Sequence, residues 1–283
     1  MSEVALQPTS LAQALRWLAD DPKLVPVAGC TDLLVIDAVR RAAMARVLDV
    51  TRIAELRGLR SEAAGLAIGA TATFSEIAAD AIVAQRFPAL ADAARQVGGW
   101  QIQNRATLGG NVANASPAGD SPPVLLALGA VVRVASGSGE RTIPYEDFHV
   151  GYRKTALEPG ELLREVFVPW PEGGSRQGFR KVGTRAAQAI SKVAVAFCGR
   201  VESGRIAALR MGAASVAATP VRLRAAERAA IGRLVAEDAA DAAGRAAAGE
   251  VQPIDDVRST AEYRRFALER VVRRLIADLG ARG

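Results

Sequence analysis

Apolar and polar positions repeat with different periods along the chain, and each change of period marks an element. Leu11, Ala14, Leu15 and Leu18 recur at helical spacing behind Ser10, a good helix N-cap, and Pro22 stops the run. Residues 24–28 form a short apolar run that ends at Gly29 and predicts a buried strand. Thr31 or Asp32 then stands where it can cap a second helix through about Val39, and residues 47–50 predict another strand. The first 55 residues thus spell a small β-α-β unit. A second unit follows, with a strand at 66–70 and helices at 74–79 and 87–97. Between Gly98 and Asp120 the periodicity disappears, and Gly, Asn, Ser and Pro dominate. Order resumes at Ser121, read as an N-cap, with Pro122 in the first helical position and Gly129 as the stop. A strand at 131–135 turns at Gly137-Ser138-Gly139. Pro169, Pro171 and Gly173-Gly174-Ser175 read as a linker. Beyond it, 190–201 and 205–211 predict a hairpin turning at Ser203-Gly204, and 262–279 a helix.

Composition narrows the chemistry. With 283 residues, half of them hydrophobic, the chain can build two or three folded domains. No apolar run reaches the ~18–20 residues that cross a bilayer, so no membrane span is expected. The N-terminus lacks a charged-then-apolar leader, and a cytoplasmic protein is expected. Cys30 and Cys198 are too few for a disulfide framework or a cysteine-held cluster, and His149 is the one histidine, so no metal site is expected. The same count leaves a serine triad nothing else to use, and no nucleophile motif surrounds His149. The net charge of +6 is spread among Glu and Asp with few aromatics, unlike a nucleic-acid footprint. Chemistry in such a chain falls to a bound cofactor.

Two glycine-bearing segments carry the functional signal. In Val25-Pro26-Val27-Ala28-Gly29-Cys30-Thr31-Asp32-Leu33 a strand enters a glycine turn ahead of a helix, which gathers unpaired N–H groups suited to a pyrophosphate. The full G-x-G-x-x-G fingerprint is absent, so an ordinary Rossmann site is not supported, and the turn alone is equally a structural feature. The second segment runs from Asn104 to Asp120. Gly109 and Gly110 lack Cβ bulk, so backbone can approach a ligand closely. Thr107, Asn111, Asn114 and Ser116 offer donors and acceptors, and Asp120 can accept from a hydroxyl. A long polar loop inside an ordered domain reads as functional.

These segments resemble the FAD-binding subunits of the xanthine dehydrogenase and carbon monoxide dehydrogenase family, the molybdenum hydroxylases. The likeness spans nearly the whole chain. It rests on 28–33, on Thr107-Leu108-Gly109-Gly110-Asn111 leading to Ala115-Ser116-Pro117 and Asp120, and on Gly151-Tyr152-Arg153-Lys154-Thr155. It continues through Pro159-Gly160-Glu161-Leu162-Leu163 and Phe179-Arg180-Lys181-Val182, with Ile190-Ser191 downstream. The resemblance implies an α+β fold: a two-lobed FAD-binding domain of the PCMH/VAO type (lobes 1–56 and 57–175) and a C-terminal α+β domain at 176–283 of the carbon monoxide dehydrogenase flavoprotein type.

By the same resemblance, the backbone from Val25 to Leu33 would bind the pyrophosphate. Thr107, Gly109, Gly110 and Asn111 would line the phosphate and flavin side, and Asp120 would accept from a flavin-chain hydroxyl. Leu163 would touch the isoalloxazine. Lys181 would lie near the flavin edge and tune it, unless it is merely a solvated charge. Val97 occupies a position where some relatives carry a stacking aromatic, and Trp100 is close enough to face the flavin. Cys30 stands where many relatives have a second glycine, and is read as a passive small residue. The implied function is electron transfer from [2Fe–2S] clusters of an iron–sulfur subunit, through FAD, to NAD. The molybdenum cofactor would sit on a molybdopterin subunit, within a dimer of heterotrimers. The Ser116-Pro117 and Asp120 pattern, with Tyr152-Arg153-Lys154, resembles xanthine dehydrogenases more than carbon monoxide dehydrogenases. Alternatives are an independent FAD-dependent oxidase or reductase, a carbon monoxide dehydrogenase-like medium subunit with a non-NAD acceptor, and a flavin-free assembly subunit.

Overall fold

The computed structural model describes residues 4–35 and 46–280. The chain begins with a parallel sheet ordered β1-β3-β2, formed by β1 (Val4–Leu6), β2 (Val25–Val27) and β3 (Arg46–Asp49). Helix α1 (Leu11–Asp20) connects β1 to β2 and buries Ala14, Leu15 and Leu18, the stripe its apolar spacing predicts. Its cap is as expected: the Ser10 hydroxyl oxygen accepts the Gln13 N–H. β1 was not anticipated, since three residues are too short to show a period. After β2 a single 3-10 turn occupies Leu33–Val35, where the sequence predicts the first turn of a second helix. The remainder of that expected helix, through Val39, lies outside the described residues.

An antiparallel sheet ordered β4-β5-β10-β6-β7 follows. Its strands are β4 (Leu59–Glu62), β5 (Gly65–Gly69), β6 (Val131–Ser136), β7 (Gly139–Pro144) and β10 (Leu162–Pro169). Leu162 and Ala135, at one end of this sheet, pack with Leu15, Leu18, Leu48, Ile53 and Leu56, which docks the parallel unit onto it. Helices α2 (Phe74–Ala79), α3 (Ala81–Arg86) and α4 (Pro88–Arg95) cover its inner face, with Phe74, Phe87 and Leu90 fully buried.

The stretch from Gly98 to Asp120 is not the irregular loop its composition suggests. It holds two short helices, α5 (Trp100–Gln103) and α6 (Leu108–Ala113). A helix through Gly109-Gly110 contradicts propensity by about 1 kcal/mol per glycine, and packing explains the first of the two. A Cβ on Gly109 would stand 2.6 Å from the Ala70 carbonyl oxygen, so only glycine lets α6 approach β5. Thr107 caps the helix by accepting the Gly110 N–H.

Helix α7 (Pro122–Leu128) is buried over its whole length and ends at Gly129 in the left-handed region (φ +66°). Pro122 occupies its first position as expected. Ser121 differs: its hydroxyl donates to Asn111 Oδ1 (2.7 Å) instead of capping. Next come α8 (Tyr145–Phe148) and the small hairpin of β8 (His149–Gly151) and β9 (Lys154–Thr155).

The last sheet is β11 (Arg176–Val182), β12 (Val193–Glu202), β13 (Arg205–Ala214) and β14 (Val221–Arg222), all antiparallel. Its central strands bury both faces. Val193, Val195, Phe197, Leu209, Met211 and Ala213 face helices α9 (Arg224–Ala230), α10 (Glu237–Glu250) and α11 (Ala261–Gly280). Ala194, Ala196 and Ala214 join the other core, against α7. That second face is made of small residues because a helix must sit on it. At Gly212 a Cβ would lie 2.3 Å from the Pro123 carbonyl oxygen. Helix α7 is therefore clamped between the two larger sheets, and Asp120, just before it, is placed at their junction.

Candidate functional site

Gly29 lies two residues beyond β2 and directly against the second glycine segment. A Cβ there would be 1.9 Å from the Arg105 carbonyl oxygen and 3.0 Å from Ala106 Cα. Both obstacles are backbone, so neither can rotate away. The two turns, far apart in sequence, meet through bare main chain. The next residue, Cys30, adopts φ +58°, a region where an L side chain costs about 1–2 kcal/mol and glycine nothing. None of the N–H groups from Gly29 to Leu33 bonds to an acceptor among the described residues. Successive free N–H groups in such a turn form a concavity that favours anions.

Positive side chains frame this turn. Arg153, itself at φ +51°, spans the two segments: its Nη1 donates to Asn114 Oδ1 (2.9 Å) and to Asp32 Oδ2 (3.3 Å). Arg105 is exposed, and its charge reaches the Cys30 thiol. Burial and the Asp49 carboxylate nevertheless push that thiol above its ordinary pKa, so Cys30 is a poor thiolate. Its Sγ contacts the Ala28 carbonyl at 3.4 Å.

Strain collects here as well. Of the non-glycine residues with positive φ among those described, only Ser203 sits in a distant hairpin. Cys30 and Ala115 belong to the turns themselves, and Arg153, between β8 and β9, bridges them. The Gln188 N–H donates to the Gly98 carbonyl, and the Ser215 N–H to that of Pro117. Backbone strain held in place by surrounding contacts is a pointer to function.

On the far side of the second segment, Asp120 is buried and fully engaged. Oδ2 lies 2.6 Å from Lys181 Nζ, and Oδ1 accepts the Ser191 hydroxyl at 2.5 Å. Lys181 Nζ also donates to the Gln96 carbonyl (2.8 Å). Burial raises the Asp120 carboxyl above its usual range, against the pull of Lys181 and Ser191.

Known proteins fit this arrangement. Residues 2–171 match the family model described as the FAD-binding domain in molybdopterin dehydrogenase, and residues 178–279 match the CO dehydrogenase flavoprotein C-terminal domain. The chain belongs to the FAD-binding subunits of the molybdenum hydroxylase family. It is 31% identical over 271 residues to the xanthine dehydrogenase FAD-binding subunit of Escherichia coli O157:H7, covering 95% of this chain and 93% of that one. It is 30% identical to the carbon monoxide dehydrogenase medium chain of Hydrogenophaga pseudoflava over 97% and 96% of the two chains. The nicotine 6-hydroxylase medium subunit of Paenarthrobacter nicotinovorans shares 32% identity, again over 97% and 96%. Among solved structures, reconstituted CO dehydrogenase from Oligotropha carboxidovorans superposes with a TM-score of 0.95 at 28% identity, over 100% of this chain and 99% of the other.

This FAD-binding subunit does not treat all the residues read from its sequence alike. Residues 25–33 carry the first turn and Asn114 is tied to it through Arg153, whereas Asn111 accepts from Ser121 at the start of α7, and Asp120 and Lys181 bond each other on the far side of the second segment. Gly109 does not open toward a ligand: its N–H donates to the Ala70 carbonyl, and its missing side chain is taken up by packing. Gly110 is exposed, with Thr107 Oγ1 as its one close neighbour. Thr107 is buried as a cap. Leu163 is 4% exposed and sits in the main core on β10, so its side chain faces packing, not a groove. Val97 is buried too, whereas Trp100 is 81% exposed on the outer surface of α5. Lys181 is no solvated charge, since its partner is Asp120. The sequence reading missed Arg105 and the bridging role of Arg153. Their arginines were visible, but nothing local says that residues 32, 105, 114 and 153 converge. Among the described residues no His, Cys, Asp or Glu group is arranged to hold a metal, and no helix is long and apolar enough to cross a membrane.

Proposed function

We propose that the paired turns hold one FAD and that this subunit relays electrons from an iron–sulfur partner to NAD, in a complex whose molybdopterin subunit oxidises the substrate. The observation that carries this reading is the backbone contact of Gly29 with Arg105, which joins a turn of free N–H groups to a second, polar segment. When bound, FAD supplies the redox chemistry, taking electrons singly and giving them up as a pair. The protein's part is to bind and orient. The N–H groups of Gly29 to Leu33 would donate to the pyrophosphate oxygens, and Val25, Pro26 and Val27 would hold the turn in place. Arg105 and Arg153 would offset the phosphate charge. Gly110, capped through Thr107, would let the chain run close, and Asn111, its Oδ1 held by Ser121, would offer its amide NH2. Asp120 and Lys181 would close the ring side. Their net charge is zero, so they would act on the flavin as a dipole, more weakly than a free cation. Leu163 would contribute to the ring's support through the strand that carries it.

The relay reading is favoured over an independent oxidase because His149 is unavailable for acid–base work: its Nε2 is bonded to the Val112 carbonyl and its ring is half-buried. The Ser116-Pro117 and Asp120 pattern, with Tyr152-Arg153-Lys154, supports a xanthine dehydrogenase-like complex with NAD as acceptor. Relatives that differ in their named substrate match at 30–32% identity, as expected where another polypeptide selects the substrate. A division at 1–56, 57–175 and 176–283, assembly as a dimer of heterotrimers, and a cytoplasmic location complete the proposal.

The test is flavin binding by the purified chain. Gly29→Ala places a methyl into the Arg105 carbonyl and should abolish FAD retention. Gly137→Ala, at an open turn with nothing within 4 Å, should leave it intact. A Gly29→Ala protein that folds and keeps stoichiometric FAD would overturn the assignment.

A further inference from the structure

Arg264 lies in the first turn of α11, with its side chain only 4% exposed. Its Nη1 donates to the Lys192 carbonyl (2.7 Å) and to the Ser215 carbonyl (3.0 Å), and its Nη2 to Asp256 Oδ1 (2.8 Å). Its Nε is buried and has no acceptor. For the stability of the fold alone this is a costly residue: a buried cation with an unpaired donor, near the helix end whose dipole is already positive. An ion pair with Asp256 would also need none of the bonds to main chain.

The two carbonyls that Arg264 holds belong to residues that lead to Asp120. Ser215, directly after β13, has φ +67°, and each of its polar groups is engaged. Its N–H donates to the Pro117 carbonyl (2.7 Å), its hydroxyl to the Ser191 carbonyl (2.8 Å), and its own carbonyl accepts from Arg264. Lys192 follows Ser191, and its ammonium lies over the ring of Tyr263, the residue before Arg264, 5.0 Å from the centroid. Ser191 is therefore gripped twice, at its own carbonyl by Ser215 and at the next carbonyl by Arg264. Its hydroxyl, in a residue 1% exposed, reaches Asp120 Oδ1. Burial raises the Asp120 carboxyl, and Lys181 and the Ser191 hydroxyl pull it back. A shift of residues 191–192 would turn that hydroxyl away and leave the carboxylate to Lys181.

We propose that Arg264 is a positioning residue for the ring side of the flavin site, acting through Ser215 and Ser191 on Asp120. It touches no cofactor itself. It fixes the start of β12 and the end of β13, so that the Ser191 hydroxyl stays on the carboxylate and Asp120 and Lys181 keep the geometry in which they meet the cofactor. This inference rests on the FAD site proposed above, and adds to it a residue of the C-terminal domain that lies outside the site.

The test titrates the full chain with FAD and reads the dissociation constant, the visible circular dichroism of the bound flavin and the thermal unfolding midpoint. Ser191→Ala should weaken FAD by about two- to tenfold, as expected for loss of one hydrogen bond, and should alter the dichroic band. Arg264→Gln should do the same, and should add nothing in a Ser191→Ala background. Ser215→Ala is a milder break in the same chain, which serves if Arg264→Gln does not fold. It should weaken FAD too, and again add nothing to Ser191→Ala. Arg222→Gln breaks the pair with Glu227 elsewhere on this sheet, and should lower Tm while leaving affinity and dichroism unchanged. Wild-type flavin binding in Ser191→Ala or in Ser215→Ala would overturn the proposal, as would additive losses in the Arg264→Gln, Ser191→Ala double variant. An equal loss of affinity in Arg222→Gln would reduce the effect to stability and overturn it as well. A wild-type chain that takes up no FAD would overturn the site itself and this inference with it, an outcome distinct from all the others.

Discussion

Lys181 Nζ stands 2.6 Å from Asp120 Oδ2, and the side chains are only 7% and 9% exposed. The pair joins β11 of the last sheet to the segment that leads into α7, so one ion pair closes the seam on which both sheets converge. Ser191 and the Gln96 carbonyl take up remaining valences on either side. Two residues that the sequence assigns separately to the cofactor thus answer first to each other.

Lys181→Met should therefore destabilise the fold by about 3–5 kcal/mol at neutral pH, the cost of leaving a buried charge unpaired. Asp120 is already pushed upward by burial, and loss of the lysine removes the pull that opposes it. A carboxyl whose folded pKa is raised contributes stability below its unfolded value, and that stability is lost as pH rises through the folded value. The variant should then recover toward pH 4 and weaken toward pH 8. Asp120→Asn combined with Lys181→Met should be more stable than either single change. Urea unfolding across pH measures all three, and additive losses in the double variant would remove the coupling.

Cys30 occupies a backbone conformation that suits glycine. Cys30→Gly should be neutral to stabilising by about 0.5–1 kcal/mol, since relief of the left-handed cost outweighs glycine's extra chain entropy. Cys30→Val should lose about 1–2 kcal/mol, because branching at Cβ is worse in that region. The raised thiol pKa adds a chemical check. Alkylation at pH 7 should be slower than for a small free thiol, and labelling at the free rate would contradict the burial described here.

Much of this was legible in the sequence, for identifiable reasons. Helix α1, the hairpin of β12 and β13, and α11 follow from periods long enough to read. Strand β1 is too short to carry one. The segment 98–120 reads as a loop because its Gly, Asn, Ser and Pro break the period, and Gly109 reads as space for a ligand, whereas it is the residue that lets α6 lie on β5. A void filled by another element leaves no local trace. The donor set was placed only in part for the same reason. Free N–H groups can be anticipated at Gly29, but the convergence of Asp32, Arg105, Asn114 and Arg153 is a product of topology. The likeness carried by the motifs bridged that gap for the fold, while it could not show that Asp120 and Lys181 bond each other.

His149 is the one histidine, so a single imidazole Cε1–H resonance reports it. Burial lowers its pKa below the ordinary 6.5, although donation from Nε2 to the Val112 carbonyl pulls the other way. A histidine held neutral in the fold stabilises fully above the unfolded value. That stability falls away as pH drops through 6.5 toward the folded value. The Nε2–H donor to Val112 in α6 survives protonation, so the loss on acidification comes from charging a half-buried ring and not from breaking that contact. A titration midpoint at or above 6.5 would rule this out.

Arg153 is a latch whose loss should be felt in kinetics more than in stability. It reaches Asp32 on the first turn and Asn114 on the second, and both ends of the ion pair are substantially exposed. Exposed pairs contribute about 0–1 kcal/mol, so Arg153→Ala should unfold within that range of the wild type. The bridge nevertheless joins the two segments that would have to part for a nucleotide to leave. FAD release from Arg153→Ala, followed by the recovery of flavin fluorescence, should be about three to ten times faster, matching a loss of ~1 kcal/mol in the closed state. Salt should speed release from the wild type and have less effect on the variant, because screening weakens the same contact that the substitution removes. Equal release rates at every ionic strength would mean that the two turns hold together through the Gly29 contact alone.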